Sequence, residues 1–215
     1  MNAVTRGIRR GLPFACADWL DGVAFGAVAA GFGLGVVAPT VLSATAFSGT
    51  AQFAALTVLG QHGGLVSVLV AVAALNARYV VYGLSVAPGL SRNRVKRSAQ
   101  AQLLTDVSWA LSQEGGRPDA QVLTVVGLLE LLAWTTGTAA GAFAGNLVGN
   151  VGAYGIDALL PAFFACMLLD RTESAGDVGF AAAAGCAAVF LTPILPAGVP
   201  LALVLAVAVA RGPRP

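Results

Sequence analysis

From Gly22 to Ala77 the chain carries no Asp, Glu, Lys or Arg. A helix rises about 1.5 Å per residue and a bilayer's hydrocarbon layer is about 30 Å thick, so the run is long enough for more than two crossings. Pro39 and the cluster Gly60-Gln61-His62-Gly63-Gly64 are its natural break points. At Arg78, in ALNARYVVYGLS, the charge-free stretch ends with an arginine where lipid does not tolerate one.

Composition points the same way. Apolar residues make up 57 % of the 215, charged residues 10 %, and the mean hydropathy is +0.81. The expected fold class is therefore all-α: a polytopic integral membrane helical bundle of about six to eight segments, in one transmembrane domain over residues 1–215. Abundant Gly and Ala suit helices that approach closely in lipid. A net charge of +2 is too small for nucleic acid. Cys16, Cys166 and Cys186 are far apart in apolar surroundings and read as buried small hydrophobes. Arg6, Arg9 and Arg10 read as the retained cytoplasmic end of a first span, because no A-x-A-like cleavage site follows.

Apolar segments are expected at Cys16–Ala38, Thr40–Gly60, Leu65–Leu90, Ser98–Ser112, Val122–Val148, Ile156–Leu169, Val178–Ile194 and Pro196–Ala210. Basic residues should mark cytoplasmic loops, which puts the N-terminus, Arg92–Arg97 and the C-terminus on one side. Three full crossings before Ser91 would break that rule. One early segment is then broken or re-entrant, and Thr40–Gly60, with Ser43, Ser48, Gly49, Thr50 and Gln52, is the one to suspect. Ala29-Ala30-Gly31 and Gly35 echo Ala139-Ala140-Gly141 and Gly145 at an offset of 110, as do Phe53 and Ala55 against Phe163 and Ala165. Alanine-rich chains produce such matches by chance; a true repeat would be the mark of a transporter.

Ionisable residues at membrane depth point to function by default. Asp18 and Asp21 lie near a segment end, where reaching the headgroups is the simpler account. Asp157 starts its segment and reads as a helix cap. Arg78 is either a structural ion pair with Asp106, Glu130 or Asp21, or a contact for a substrate carboxylate. Asp106 forms a polar stripe with Gln102 and Trp109, which an amphipathic surface helix would also explain. Glu130, among Leu128, Leu129, Leu131 and Leu132, is either protonated or paired. With His62 the one histidine and no phosphate-binding loop, neither a catalytic triad, a His-rich metal site nor ATP hydrolysis can be assembled.

Three patches, in order, resemble the AzlC family of branched-chain amino acid exporters. They are AFGAVAAGFG with SATAFSGTAQFAALTVL (Ala24–Gly33, Ser43–Leu59), LNARYVVYGLS (Leu75–Ser85) and LLTDVSWAL (Leu103–Leu111). AWTTGTAAGAFAG (Ala133–Gly145) and LLPAFFACMLL (Leu159–Leu169) fit the family's later helices. Tyr79 and Val107 stand where the family usually has His and Glu, which removes two titrating groups. The resemblance implies a multi-pass protein of the inner (cytoplasmic) membrane, the large subunit of a two-component secondary transporter. It implies a small AzlD-like membrane partner and an apolar amino acid as substrate, with no enzyme activity, cofactor or metal. Ser48, Gly49, Gln52, Asn76, Arg78 and Asp106 are the expected substrate contacts. Asp106, Glu130 and Asp21 are the expected proton carriers. A channel for a small solute or ion, or a non-transporting scaffold subunit, are the rival readings.

Overall fold

The computed structural model describes residues 2–114, 117–148 and 174–191. Within them the chain is helical, apart from a two-residue antiparallel ladder pairing Gln113–Glu114 (β1) with Arg117–Pro118 (β2). Two helices, α1 (Ala3–Gly31) and α8 (Ala120–Val148), are long and apolar enough to cross a membrane. A third crossing is possible if the bent pair α4 (Leu65–Asn76) and α5 (Arg78–Val86) forms one span. Between them lie α2 (Val37–Thr45), α3 (Gly49–Gly60), α6 (Arg94–Gln102) and α7 (Asp106–Ser112), and α9 (Ala175–Leu191) follows. The protein is a membrane helical bundle. It divides into two compact units, Met1–Gly49 with Ala77–Tyr154, and Thr50–Asn76 with Gly155–Pro215.

The first unit is built on α1 and α8, which run side by side in the same direction. Arg6 Nη2 meets Asp119 Oδ2 at 2.9 Å at their beginnings, and Gly145 sits over Ala30 at their ends. Asp119 also starts α8, its Oδ1 accepting from the N–H groups of Gln121 and Val122 at 2.9 and 3.2 Å. One carboxylate thereby caps one helix and pins the start of the other. Between these ends, Gly137 and Gly141 of α8 lie on the backbone of Trp19 and Val23, and Gly22 and Gly26 of α1 on that of Trp134 and Thr138. A Cβ on Gly22 would stand 2.6 Å from the Trp134 carbonyl oxygen. The glycines spaced four apart thus serve backbone-to-backbone packing, the contact that drives helix association in lipid.

Several segments differ from their sequence-based bounds. Helix α1 starts at Ala3, where the Asn2 side chain accepts from Thr5 N at 2.8 Å, so Arg6, Arg9 and Arg10 are helical. It ends at Gly31 because Gly33 and Gly35 have φ of 76° and 64°, left-handed values that stop a helix. Gly31 and Gly35 therefore do not share a helix face. Cys16 and Cys186 are exposed rather than buried: each sits on the outward side of an apolar helix instead of in a helix–helix contact. Asp157, Cys166, Phe163, Ala165 and the segments Ile156–Leu169 and Pro196–Ala210 lie outside the described residues.

The suspected Thr40–Gly60 segment is broken at Ala46–Ser48, between α2 and α3. Leu65–Leu90 is broken at Ala77, and Ser98–Ser112 at Leu103–Thr105. In the second unit, α3 buries Gln52, Phe53, Ala54, Leu56 and Val58, and a tight turn with His62 at φ 57° joins it to α4.

Alongside α8, the pair α6–α7 forms a hairpin. Gln100 Nε2 donates to Thr124 Oγ1 at 3.2 Å, Leu103 lies on Gly127, and Thr105 Oγ1 donates to Glu130 Oε2 at 2.7 Å. The chain then turns back until the Ser112 carbonyl accepts from Asp119 N at 2.8 Å. Thr105 builds the turn: it caps α7 with a hydrogen bond from Ser108 N at 2.9 Å, while Ser108 Oγ accepts from Thr105 N at 2.8 Å. Asp119 to Glu130 is about 16 Å of helix at ~1.5 Å per residue, about half the hydrocarbon thickness.

A candidate site at three helix breaks

Three interruptions of regular helix meet near the hairpin tip in the first unit. The Thr45 carbonyl, at the end of α2, accepts from Gln102 Nε2 at 2.8 Å. Arg78, the first residue of α5, places Nη2 2.9 Å from Asp106 Oδ2. Asp106 in turn opens α7. Interrupted helices at membrane depth expose backbone polar groups that must line protein or a cavity, so convergence of three breaks is itself a functional signal.

Arg78 and Asp106 are only partly covered, with 32 % and 26 % of their side chains exposed. The Tyr82 hydroxyl donates to the other Asp106 oxygen at 3.0 Å. Tyr82 also stacks on Trp109 with ring centroids 4.5 Å apart, and Trp109 Nε1 donates to Ser85 Oγ at 2.8 Å. The Arg78 guanidinium lies 5.2 Å from the Tyr79 ring centroid, a cation–π distance. Tyr79 therefore presents its ring face to the cation.

Behind the tip lies a carboxyl pair. Glu130 is 2 % exposed, accepts from Thr105, and stands close to the Asp18 carboxyl of α1. Asp18 and Asp21 are thus not at a segment end reaching for headgroups. They stand in the middle of α1, because the helix begins well before Cys16. Asp18 was not among the expected site residues; its signal was the three-residue spacing from Asp21, which sets both on neighbouring positions of one helix. Among the described residues no group of His, Cys, Asp and Glu could hold a metal ion.

Toward the opposite end of α8, Trp134 Nε1 donates to Ser43 Oγ at 3.1 Å, and Ser43 and Thr138 hydroxyls are 2.9 Å apart, all buried. Gly49 lies against the Trp134 indole, where an added Cβ would be 2.7 Å from the ring. Ser48, 8 % exposed, lies in the break just before it. Of the expected substrate contacts, Arg78 and Asp106 touch each other, and Ser48 and Gly49 belong to the same unit at the α2–α3 break. Gln52 and Asn76 belong to the second unit, where Gln52 is buried in α3 and Asn76 ends α4. Trp109 shares α7 with Asp106, one turn on, but Gln102 does not continue that stripe, because the helix is interrupted at Leu103–Thr105.

Residues 13–148 match the family model described as AzlC protein. The chain is similar to an uncharacterized membrane protein of Helicobacter pylori (strain J99 / ATCC 700824), 25 % identical over 185 residues that cover 80 % of this chain and 79 % of the relative. No solved structure matches. The family match covers α1 from Pro13, the three helix breaks at the site and α8 to its end, and the family is one of membrane proteins linked to transport. The chain belongs to the AzlC family.

Proposed function

We propose that this protein is the large subunit of a two-component secondary transporter that exports branched-chain or similar apolar amino acids across the cytoplasmic membrane. A small AzlD-like subunit completes it. The observation that carries this reading is the Arg78–Asp106 pair beside three helix breaks. An amino acid zwitterion is complementary to such a pair: its carboxylate takes the guanidinium fork and its ammonium takes the aspartate. Each ion exchanges one partner for another of the same charge, so entry of the substrate leaves no charge unpaired. Ser48 and Gly49, in the same unit as the pair, supply small-residue surface nearby in the chain for the aliphatic side chain.

Coupling to protons is assigned to Glu130 with Asp18, and to Asp106 and Asp21 around them. Two carboxyl groups hydrogen-bond to each other only while one of them holds a proton. Release of that proton would set two negative charges side by side, a strong reason for the helices to rearrange. The test is transport by the purified pair of subunits in liposomes, with a panel of labelled amino acids and imposed proton gradients. Saturable, gradient-driven accumulation of Leu, Ile or Val is expected. Non-saturating flux without accumulation would replace this reading with that of a channel, and transport by the small subunit alone would make this chain a scaffold.

A further inference from the structure

We infer that α6–α7 is a re-entrant hairpin that enters and leaves the bilayer at the same, cytoplasmic face, and that its tip is reached by water from that face. Both flanks of the hairpin are tied to the start of α8. Before it, Gly89 lies against Pro118, with Pro118 O 2.9 Å from where a Cβ would stand. The chain from Ser91 onward is held by Gln100, which accepts from Ser91 N at 2.9 Å and donates to Thr124. After the hairpin, Ser112 bonds Asp119, which pairs with Arg6 at the start of α1. The N-terminus of α1, the segment from Gly89 to Arg97 and the β1–β2 turn therefore share one end of the unit. The tip stands about 16 Å away at ~1.5 Å per residue, near mid-bilayer.

Charge identifies that end. Arg6, Arg9, Arg10, Arg92, Arg94, Lys96 and Arg97 are gathered there, whereas Gly31–Val37 at the other end of α1 carries no charge. Such an excess of basic residues marks the cytoplasmic side. Helix α6 has no buried residue, so its four-residue basic stretch stays with headgroups and water while Leu103 and Thr105 reach down to Gly127 and Glu130.

Access follows from the polar surface leading to the tip. From Asp106 the sequence of contacts is Tyr82, Trp109 and Ser85, and the last bond is exposed. A charged pair with a quarter to a third of its side chains uncovered cannot face hydrocarbon without a penalty of several kcal/mol. Water entering along α5 and α7 removes that penalty.

Thiol labelling tests this without any assumption about substrate. In a chain with Cys16, Cys166 and Cys186 replaced by Ala, single cysteines are introduced as Thr5→Cys and Phe32→Cys to mark the two ends. Ser98→Cys and Gln113→Cys probe the flanks, with Ala99→Cys and Gln121→Cys as second positions if either fails to accumulate. A membrane-impermeant maleimide is added to intact cells and to inside-out vesicles. Ser98→Cys and Gln113→Cys should label from the side that labels Thr5→Cys, the cytoplasmic one, and Phe32→Cys from the other. Labelling of the two flanks from opposite faces would make α6–α7 a crossing and overturn the hairpin. Labelling of all three from outside would overturn the orientation. At the tip, Gln102→Cys should react with a small charged methanethiosulfonate from the Thr5 side. Reaction solely from the Phe32 side, or solely after solubilisation, would overturn the access route.

Discussion

Removing the Arg78 guanidinium should cost less than breaking a fully buried ion pair and more than breaking a surface one, and the structure sets the bracket. The ions touch at 2.9 Å with 32 % and 26 % of their side chains exposed. Exposed pairs measure about 0.2–1 kcal/mol, whereas loss of one partner of a buried pair costs about 3–5 kcal/mol. Arg78→Ala should therefore destabilise by about 2 kcal/mol, with the Tyr82 bond to Asp106 limiting the damage by continuing to satisfy one carboxylate oxygen. The two ions should be coupled more strongly than the cost of losing either one suggests. Asp106→Ala alone leaves a guanidinium at mid-bilayer, yet removing both groups leaves no uncompensated charge. A double-mutant cycle by equilibrium unfolding in mixed micelles should give a coupling of about 1–3 kcal/mol, the double variant being more stable than the sum of the singles. Strict additivity, within about 0.3 kcal/mol, would refute the reasoning, since it would mean that the ions are solvated independently. Export of labelled leucine from the same variants then separates binding from folding. Arg78→Lys keeps the charge but loses the planar fork, so it should keep near-normal abundance and lose apparent affinity.

Glu130→Gln removes the titratable carboxyl but keeps an acceptor for Thr105, so, if Glu130 carries the coupling proton as proposed, export measured across external pH should lose its pH dependence while membrane abundance is retained; an unchanged profile would exclude Glu130 from coupling. Thr105→Val removes the cap of α7 and the bond to Glu130 together, with an expected destabilisation of about 1–2 kcal/mol by the same unfolding assay. Thr105→Ser should restore most of it. Gly26→Leu would drive a side chain into the Thr138 backbone and should prevent stable accumulation, while Gly185→Ala, which meets nothing within 4 Å, should be neutral on immunoblots of membranes.

Membrane helices were legible in the sequence because lipid imposes a single crude requirement, apolarity over a long window. Helix breaks were legible where backbone chemistry was local. Ala46–Ser48 adjoins a glycine and two hydroxyl residues, and the turn after Gly60 is dense in glycine. The Leu103–Thr105 break carries no Gly or Pro; it depends on the Thr105–Ser108 capping box and on Gly127 of α8 admitting the Leu103 carbonyl, a contact between residues far apart in the chain. Asp18 and Asp21 were misplaced for a related reason. Arg6, Arg9 and Arg10 break the apolar pattern, which sets the apolar start at Cys16, but their long stems let a helix continue out of the bilayer.

The break between α2 and α3 removes the conflict between crossings and charge. Three crossings before Ser91 set the basic loop against the N-terminus only if each early segment spans the bilayer in full. Helix α2 is nine residues, about 13 Å at ~1.5 Å per residue, and its Ser43 lies at the level of Thr138, well inside α8. It therefore descends only part-way before the break at Ala46–Ser48. The chain between Gly31 and Gly89 must pass from one end of the first unit to the other, an odd number of net crossings, and a broken segment makes that compatible with α4–α5 as a bent span. The same interruptions that reconcile the topology leave Thr45, Arg78 and Asp106 at mid-depth with backbone and charge uncovered by regular helix. In this fold, the requirement that basic loops stay on one side and the requirement for a polar site inside the bilayer are met by the same breaks.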